Sequence, residues 1–180
     1  MDKLKEVHMS YSRTAPWTKE ITTTSLMDLG IIAALYILPG LTHVLPIPLY
    51  MLDPMRLLLF LTLLTTHRMN SLLLAATIPF LSTLFSGHPI FPKNILIASE
   101  LSLNVMLFHW FLSKKDSIML AGAVSIICAK VFYYLLKFGF ISIGLLGGAL
   151  VSTAFSYQLI PLVLLPLMLL GLNKMIKGNS

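Results

Sequence analysis

Residues 94–113 read NILIASELSLNVMLFHWFLS, and the only Asp, Glu, Lys or Arg among them is Glu100. A helix needs about 20 apolar residues to cross the hydrocarbon core of a membrane, which is the length of this run. Residues 118–138, IMLAGAVSIICAKVFYYLLKF, follow after a short polar turn and contain only two charged residues, Lys130 and Lys137. These neighbouring segments predict a membrane protein built from helices.

The composition of the whole chain agrees with this prediction. Of 180 residues, 57% are hydrophobic and 11% are charged, whereas about 25% of the residues in a soluble domain are charged. Residues 29–52, 69–92 and 138–173 contain no Asp, Glu, Lys or Arg. A soluble fold of this size has too little interior to bury them all, so the sequence leaves no room for a separate soluble domain.

We predict an all-α, polytopic membrane protein with six short spans. The first span begins near Ser25 and ends at Pro39 and Gly40, or near Val44 past a kink, and a proline-rich connection follows. The other five are expected over 55–66, 71–86, 94–113, 118–138 and a last stretch ending near 172. The chain then divides into a polar N-terminal segment over 1–24, a transmembrane domain over 25–173 and a tail over 174–180.

The basic residues indicate the orientation of these spans, because Lys and Arg concentrate on the cytoplasmic side of a membrane. If the N-terminus is inside, the inner segments hold nine of them: Lys3, Lys5, Arg13, Lys19, Arg68, Lys114, Lys115, Lys174 and Lys177. The outer segments hold only Arg56, Lys93 and Lys137. We therefore expect a multi-pass membrane protein with both termini in the cytoplasm. The net charge of +6 reflects this bias rather than a nucleic-acid partner.

Several polar side chains are predicted at depths where lipid would otherwise surround them. Glu100 is about two turns into the fourth predicted span, and Asn104 follows one turn later on the same face. Lys130 of the fifth span is followed by three polar residues on its side of the helix, Tyr133, Tyr134 and Lys137. Because the fourth span enters from outside and the fifth returns there, all six fall in the outer half of the membrane.

Further polar residues are expected at a similar depth. Tyr157 and Gln158 belong to the last span, and the outer connections contain Asp53, Arg56, His88 and Lys93. Charged groups inside a membrane usually face a cavity, a partner or a pathway. We therefore predict that these residues form a substrate pocket that opens to the outside.

Simpler roles are open for the charged members of this set. Glu100 and Lys130 can pair with each other and hold two helices together. Arg56, Lys93 and Lys137 lie near helix ends, from which their side chains can reach the lipid headgroups.

The sequence lacks the motifs that would make this chain an enzyme. It contains no His-Glu-x-x-His, no Gly-x-Ser-x-Gly, no nucleotide-binding loop and no Cys-x-x-Cys. Its histidines have no ligand spacing, and its single cysteine, Cys128, excludes an intramolecular disulfide. We expect a helical bundle with a polar pocket, no metal, no cofactor and no energy source of its own.

Several of these features resemble the substrate-binding S components of energy-coupling-factor (ECF) transporters. They are the six short spans, the cytoplasmic termini, the first outer connection with Leu45-Pro46-Ile47-Pro48, and the late segment Ser156-Tyr157-Gln158-Leu159-Ile160-Pro161. The resemblance implies capture of a vitamin or related micronutrient from outside, in a pocket formed by the outer halves of the last three spans and the outer loops. It also implies partners, namely a transmembrane coupling protein and two ATPases, on which the bundle topples to deliver its substrate.

The resemblance also implies a docking surface. S components dock through small residues four positions apart on the first helix, typically two alanines. Here Gly30 and Ala34 have that spacing, and Ala33 lies beside them. Small residues allow membrane helices to approach closely, and packing within the bundle is an equal alternative for these three.

The charges of the predicted pocket favour an anionic substrate. Asp53 and Glu100 are outnumbered by four cations, Arg56, Lys93, Lys130 and Lys137. The excess of positive charge favours a carboxylate or phosphate, and the tyrosines can stack on a ring.

A different class of protein is the leading alternative. The rod-shape-determining MreD proteins are six-helix membrane scaffolds of similar size that bind proteins of cell-wall synthesis and need no solute pocket. A third possibility is an unrelated small membrane protein that regulates another complex. The polar groups at one depth favour the transporter interpretation, because a scaffold has little reason to hold them there.

Overall fold

A computed structural model of the chain describes residues 29–30, 33–34, 53–87, 89, 91–114, 117–151 and 155–178. Within these residues the regular structure is helical and contains no strand. Its five long helices are α1 (Pro54–Thr65), α2 (Arg68–Ser86), α3 (Lys93–Lys114), α4 (Ile118–Ser142) and α5 (Phe155–Gly178). The predicted all-α class is confirmed for this part of the chain.

These five helices correspond to the second to sixth predicted spans. Residues 29, 30, 33 and 34 are helical as well, but most of the first predicted span lies outside the described residues. So do the N-terminal segment and most of the proline-rich connection. Six spans and two cytoplasmic termini therefore stay predictions.

Three helix ends differ from the sequence-based bounds by three residues or more. α5 continues to Gly178, past the predicted end near residue 172 and into the predicted tail. Local capping explains the other two. α2 begins at Arg68 instead of residue 71, because the Nδ1 atom of His67 accepts a hydrogen bond from the backbone N–H of Met69 (3.3 Å). α4 continues through Gly139 to Ser142. It ends where Gly144 adopts a positive φ of 73°, a conformation that glycine adopts without steric cost.

Two of the described helices, α3 and α4, are long and apolar enough to cross a membrane. α1 has 12 residues, fewer than a perpendicular span requires. α4 also exposes an apolar stripe, because Ile127, Val131 and Leu135 recur every four residues and are 49%, 56% and 67% exposed. A stripe of this kind fits contact with lipid, and together these features indicate membrane association.

α3 lies at the centre of the described bundle and packs against α2 and α4, while α5 packs against α4 and α1. The buried residues Leu101, Val105 and Phe108 of α3 pack with Leu59 and Phe60 of α1 in one apolar core. The rings of Phe60 and Phe108 have centroids 6.4 Å apart and are tilted by 53°. This core packs α1 against α3, the two helices that carry Arg56 and Glu100.

The first three connections between consecutive helices are short, and Gly122 near the start of α4 lies against Leu169 in the second half of α5. α1 to α5 therefore alternate in direction. This alternation places Arg68, Lys114 and Lys174 at one end of the bundle, where all three are exposed. The ammonium of Lys114 lies 4.1 Å from the ring centroid of Trp110, a residue that is half exposed. Tryptophan and basic residues favour membrane interfaces, and this end is the one for which the sequence predicts a cytoplasmic position.

Gly122 gives a test of the contact between α4 and α5. A Cβ atom at this position would lie 3.2 Å from Leu169 Cδ1 and 3.6 Å from Pro166 Cβ. We expect Gly122→Leu to lower the free energy of unfolding in detergent by about 1–3 kcal/mol, because overpacking forces the two helices apart. Gly139→Leu is the matched control, since nothing lies within 4 Å of its Cβ position. Equal losses in a denaturant titration of the two variants would contradict this packing.

Candidate functional site

Three helices converge on the carboxylate of Glu100. Arg56 of α1 donates a hydrogen bond from Nη2 to Glu100 Oε1, and the Nζ of Lys130, on α4, lies 3.1 Å from the same oxygen. Arg56 Nη1 also lies 3.5 Å from the Oδ2 atom of Asp53. We call these four residues, Asp53, Arg56, Glu100 and Lys130, the ionic cluster. It brings together residues that are far apart in the sequence.

The four members of the ionic cluster differ sharply in burial. Arg56 and Glu100 are 1% and 3% exposed as residues. The side chains of Asp53 and Lys130 are 30% and 28% exposed. The side chains of Arg56 and Glu100 are therefore buried in the bundle, whereas those of Asp53 and Lys130 are partly exposed at its surface.

The start of α1 shows why Arg56 needs two carboxylates. Arg56 is the third residue of α1, where the helix dipole disfavours a cation. Asp53 precedes the helix with a φ of 49°, and its carbonyl accepts hydrogen bonds from the N–H groups of Arg56 and Leu57, both at 3.0 Å. This turn holds Asp53 beside Arg56, and Glu100 supplies the second negative charge.

The charges of the ionic cluster sum to zero. Burying an ion is costly, and breaking a buried pair by removing one partner leaves an uncompensated charge. The predicted pairing of Glu100 with Lys130 is confirmed. The suggestion that Arg56 reaches the lipid headgroups is wrong, because its guanidinium is buried against Glu100.

A second polar group lies one helical turn below Glu100. Asn104 is fully buried, and its Oδ1 is 3.5 Å from the Oγ of Ser125, which also donates to the carbonyl of Gly122 at 2.9 Å. Within the described residues, Asn104 Nδ2 and Arg56 Nε have no hydrogen-bond partner. Buried polar atoms are normally paired, so Asn104 Nδ2 is a donor for which the described residues supply no acceptor.

Two tyrosines lie beside the ionic cluster on α4. Tyr133 is 8% exposed, and its ring centroid is 5.2 Å from Lys130 Nζ, within the range of a cation–π contact. The rings of Tyr133 and Tyr134 meet edge to face, with centroids 5.5 Å apart. The structure therefore joins Tyr133 to the ionic cluster through Lys130, as the spacing predicts, and Tyr134 through Tyr133.

Lys137 has a different environment. Its Nζ donates to the carbonyls of Ala149 (2.9 Å) and Leu150 (2.7 Å), in the connection between α4 and α5. Lys137 is 5% exposed, so the suggestion that it reaches the headgroups is wrong. Its ammonium ties the connection over 143–151 to the end of α4.

Four predicted site residues remain: Lys93, His88, Tyr157 and Gln158. Lys93 is exposed at the first position of α3. His88 and the side chains of Tyr157 and Gln158 lie outside what the structure describes, so their predicted roles stay predictions.

The three predicted docking residues do not share one environment. Gly30 and Ala33 are exposed, whereas Ala34 packs against the buried cluster of Leu58, Leu74 and Ile78. Ala34 therefore packs within the bundle, as the alternative to a docking role predicts.

Sequence reasoning missed Ser125, the hydrogen-bonding neighbour of Asn104. Ser125 is fully buried on α4, but a lone serine in an apolar helix gives no signal of its own. Its position five residues before Lys130 becomes meaningful only once α3 and α4 are seen to pack with Asn104 at the contact.

The described residues contain no group of three or more His, Cys, Asp or Glu side chains that could hold a metal ion. Comparison of the chain with protein-family models, with curated proteins and with solved structures finds no match. The function must therefore be argued from the geometry of the ionic cluster and its neighbours.

A double-mutant cycle tests the pairing of Glu100 with Lys130. We expect Glu100→Gln and Lys130→Met to show a coupling energy of about 0.5–3 kcal/mol in the free energy of unfolding, because the residues are in direct contact. Glu100→Gln with Lys137→Met is the control cycle, since Lys137 binds backbone carbonyls. Its coupling should stay within about 0.5 kcal/mol of zero. Equal coupling in both cycles would show that Lys130 has no special contact with Glu100.

Lys137→Met tests the anchoring of the connection over 143–151. Without the ammonium, we expect faster hydrogen exchange of the backbone amides of Gly144, Leu145 and Leu146, which bond to carbonyls at the end of α4. Lys93→Met, at an exposed lysine, serves as the control. Unchanged deuterium uptake in Lys137→Met, measured by mass spectrometry, would rule out this anchoring role.

Proposed function

We propose that this protein is a membrane-embedded subunit that captures a small polar solute from outside, in the outer half of its bundle. The observation that supports this most is the ionic cluster between α1, α3 and α4. It is buried among apolar helices, yet the side chain of Lys130 is 28% exposed. Ionisable residues within membrane spans commonly mark the paths of substrates or ions.

The surroundings of Lys130 supply the groups that a binding site needs. An ammonium has three donors, and the structure shows one Lys130 contact to Glu100. Asn104 Nδ2 is a further donor without a partner in the described part of the chain. The tyrosine rings beside Lys130 add an apolar, stackable surface. Together these groups suit a solute that has hydrogen-bond acceptors and a flat or ring-shaped part.

The role that fits such a site is binding and not chemistry. The ionic cluster offers no activated nucleophile, because its carboxylate and its lysine neutralise each other. We propose that the chain hands its solute to a partner with an energy source. By the resemblance given above, this partner is an ECF coupling protein with two ATPases in a bacterial cytoplasmic membrane, and the solute is a vitamin or related micronutrient.

A second candidate is a scaffold like the MreD proteins, and one observation favours it. Several charged groups of the described bundle bind other groups of the protein. Glu100 forms ion pairs with Arg56 and Lys130, and Lys137 donates hydrogen bonds to the connection between α4 and α5. A scaffold needs such contacts only to fix its helices. It gives no account of the accessible Lys130 or of the unpaired Asn104 amide.

Binding of a solute is tested by thermal unfolding of the detergent-purified protein against a panel of vitamins and their precursors. A ligand at about 1,000 times its dissociation constant stabilises the folded state by about 4 kcal/mol, so we expect one compound to raise the unfolding temperature clearly. Mass spectrometry of co-purified small molecules would identify it independently. If no compound shifts the unfolding temperature and none co-purifies, the solute-binding function is wrong.

Asn104→Leu locates the binding site. Leucine removes a buried donor that has no partner, and Ser125 loses only its 3.5 Å contact while keeping the Gly122 carbonyl as acceptor. We therefore expect the free protein to remain folded with similar stability. Affinity for the solute should fall about tenfold or more, which corresponds to about 1.4 kcal/mol. Lys114→Met, at the opposite end of α3, is the control and should bind normally. Normal binding by Asn104→Leu would move the site elsewhere.

A further inference from the structure

The net charge of the site constrains the class of solute. The sequence-based expectation of an anion counted four cations against two carboxylates. The structure places two of those cations outside the ionic cluster, because Lys93 is exposed at the start of α3 and Lys137 binds the carbonyls of Ala149 and Leu150. The ionic cluster that remains has two positive and two negative charges.

Glu100 already occupies the place that an anionic solute would take. Its Oε1 receives both Arg56 and Lys130. An anion that binds the other N–H donors of Lys130 would lie close to Glu100, and three negative groups would then face two cations. Like charges at short distance are costly where water is scarce. A cationic solute meets the converse problem, because it must displace Lys130 from Glu100 while Arg56 stays in place.

Arg56 and Lys130 are not equally free to respond to a solute. Arg56 is buried and forms ion pairs with both Asp53 and Glu100, whereas Lys130 pairs with Glu100 alone among the described residues and is partly exposed. Lys130 is therefore the group that meets the solute. It can do so without leaving Glu100 if the solute brings an acceptor for the remaining N–H donors and no net charge of its own.

We infer that the solute bound at the ionic cluster has no net charge and is a zwitterion or a neutral polar compound whose acceptors meet Lys130 and Asn104. This inference rests on the proposed solute-binding function and replaces the expectation of an anionic substrate. A zwitterion adds no net charge to the site, because its anionic group can accept from Lys130 while its cationic group balances that charge. A neutral amide or ring carbonyl satisfies the donors alone.

Matched compounds that differ only in charge test the inference. We would compare nicotinamide with nicotinate, and each of several amino acids with its anionic N-acetyl derivative and its cationic methyl ester, by thermal unfolding and isothermal titration calorimetry. In whichever matched set binds, the net-neutral compound should bind with about tenfold or more higher affinity than its charged counterparts. Equal affinity, or tighter binding of the anion, overturns the inference but leaves the solute-binding function standing. If no compound in this set or the vitamin panel binds, the proposed function itself fails, and the inference fails with it.

Asp53→Asn tests the charge argument within the protein. The substitution gives the ionic cluster a net charge of +1, and asparagine tolerates the left-handed backbone at this position, so the fold should be kept. The preference is the ratio of the affinity for the net-neutral compound to the affinity for its anionic counterpart. We expect this preference to move about tenfold or more toward the anion. Glu100→Gln should move it in the same direction if that variant folds. Lys114→Gln, a charge change at the opposite end of α3, should leave the preference unchanged, and an unmoved preference in Asp53→Asn contradicts the inference.

Discussion

The buried carboxylate of Glu100 is the constraint on which the described structure depends. A carboxylate among apolar helices is unstable unless cations neutralise it, and here the two cations come from α1 and α4, on either side of α3. The apolar core can tolerate small shifts of one helix along another, but the ionic cluster cannot. It therefore fixes the depth of three helices relative to one another.

The same cluster gives the bundle its only described polar centre that reaches from the interior to an accessible side chain. Arg56 and Glu100 are its buried residues, and Lys130 is its partly exposed residue. Under the proposed function, a site that is neutral before binding needs no solute to stabilise it, and the same neutrality favours a solute without net charge.

Much of this architecture follows from the sequence, because the apolar runs and the breaks between them are visible there. The helical class and the pairing of Glu100 with Lys130 were both predicted, since spacing along α3 and α4 places both residues in the outer half. The burial of Arg56 was not predicted. It depends on how α1 packs against α3, which no local pattern encodes. The partners of Lys137 are backbone carbonyls, and backbone groups have no signature in a sequence.

The most direct test of this account is solid-state NMR of the protein in lipid bilayers, with ¹³C-labelled glutamate and ¹⁵N-labelled lysine. We expect the Glu100 carboxyl to show the chemical shift of an ionised group and a strong dipolar coupling to Lys130 Nζ, since these side chains are in direct contact. A protonated Glu100, or a Lys130 nitrogen without measurable coupling to its carboxyl carbon, would contradict the ionic cluster and everything inferred from its charge.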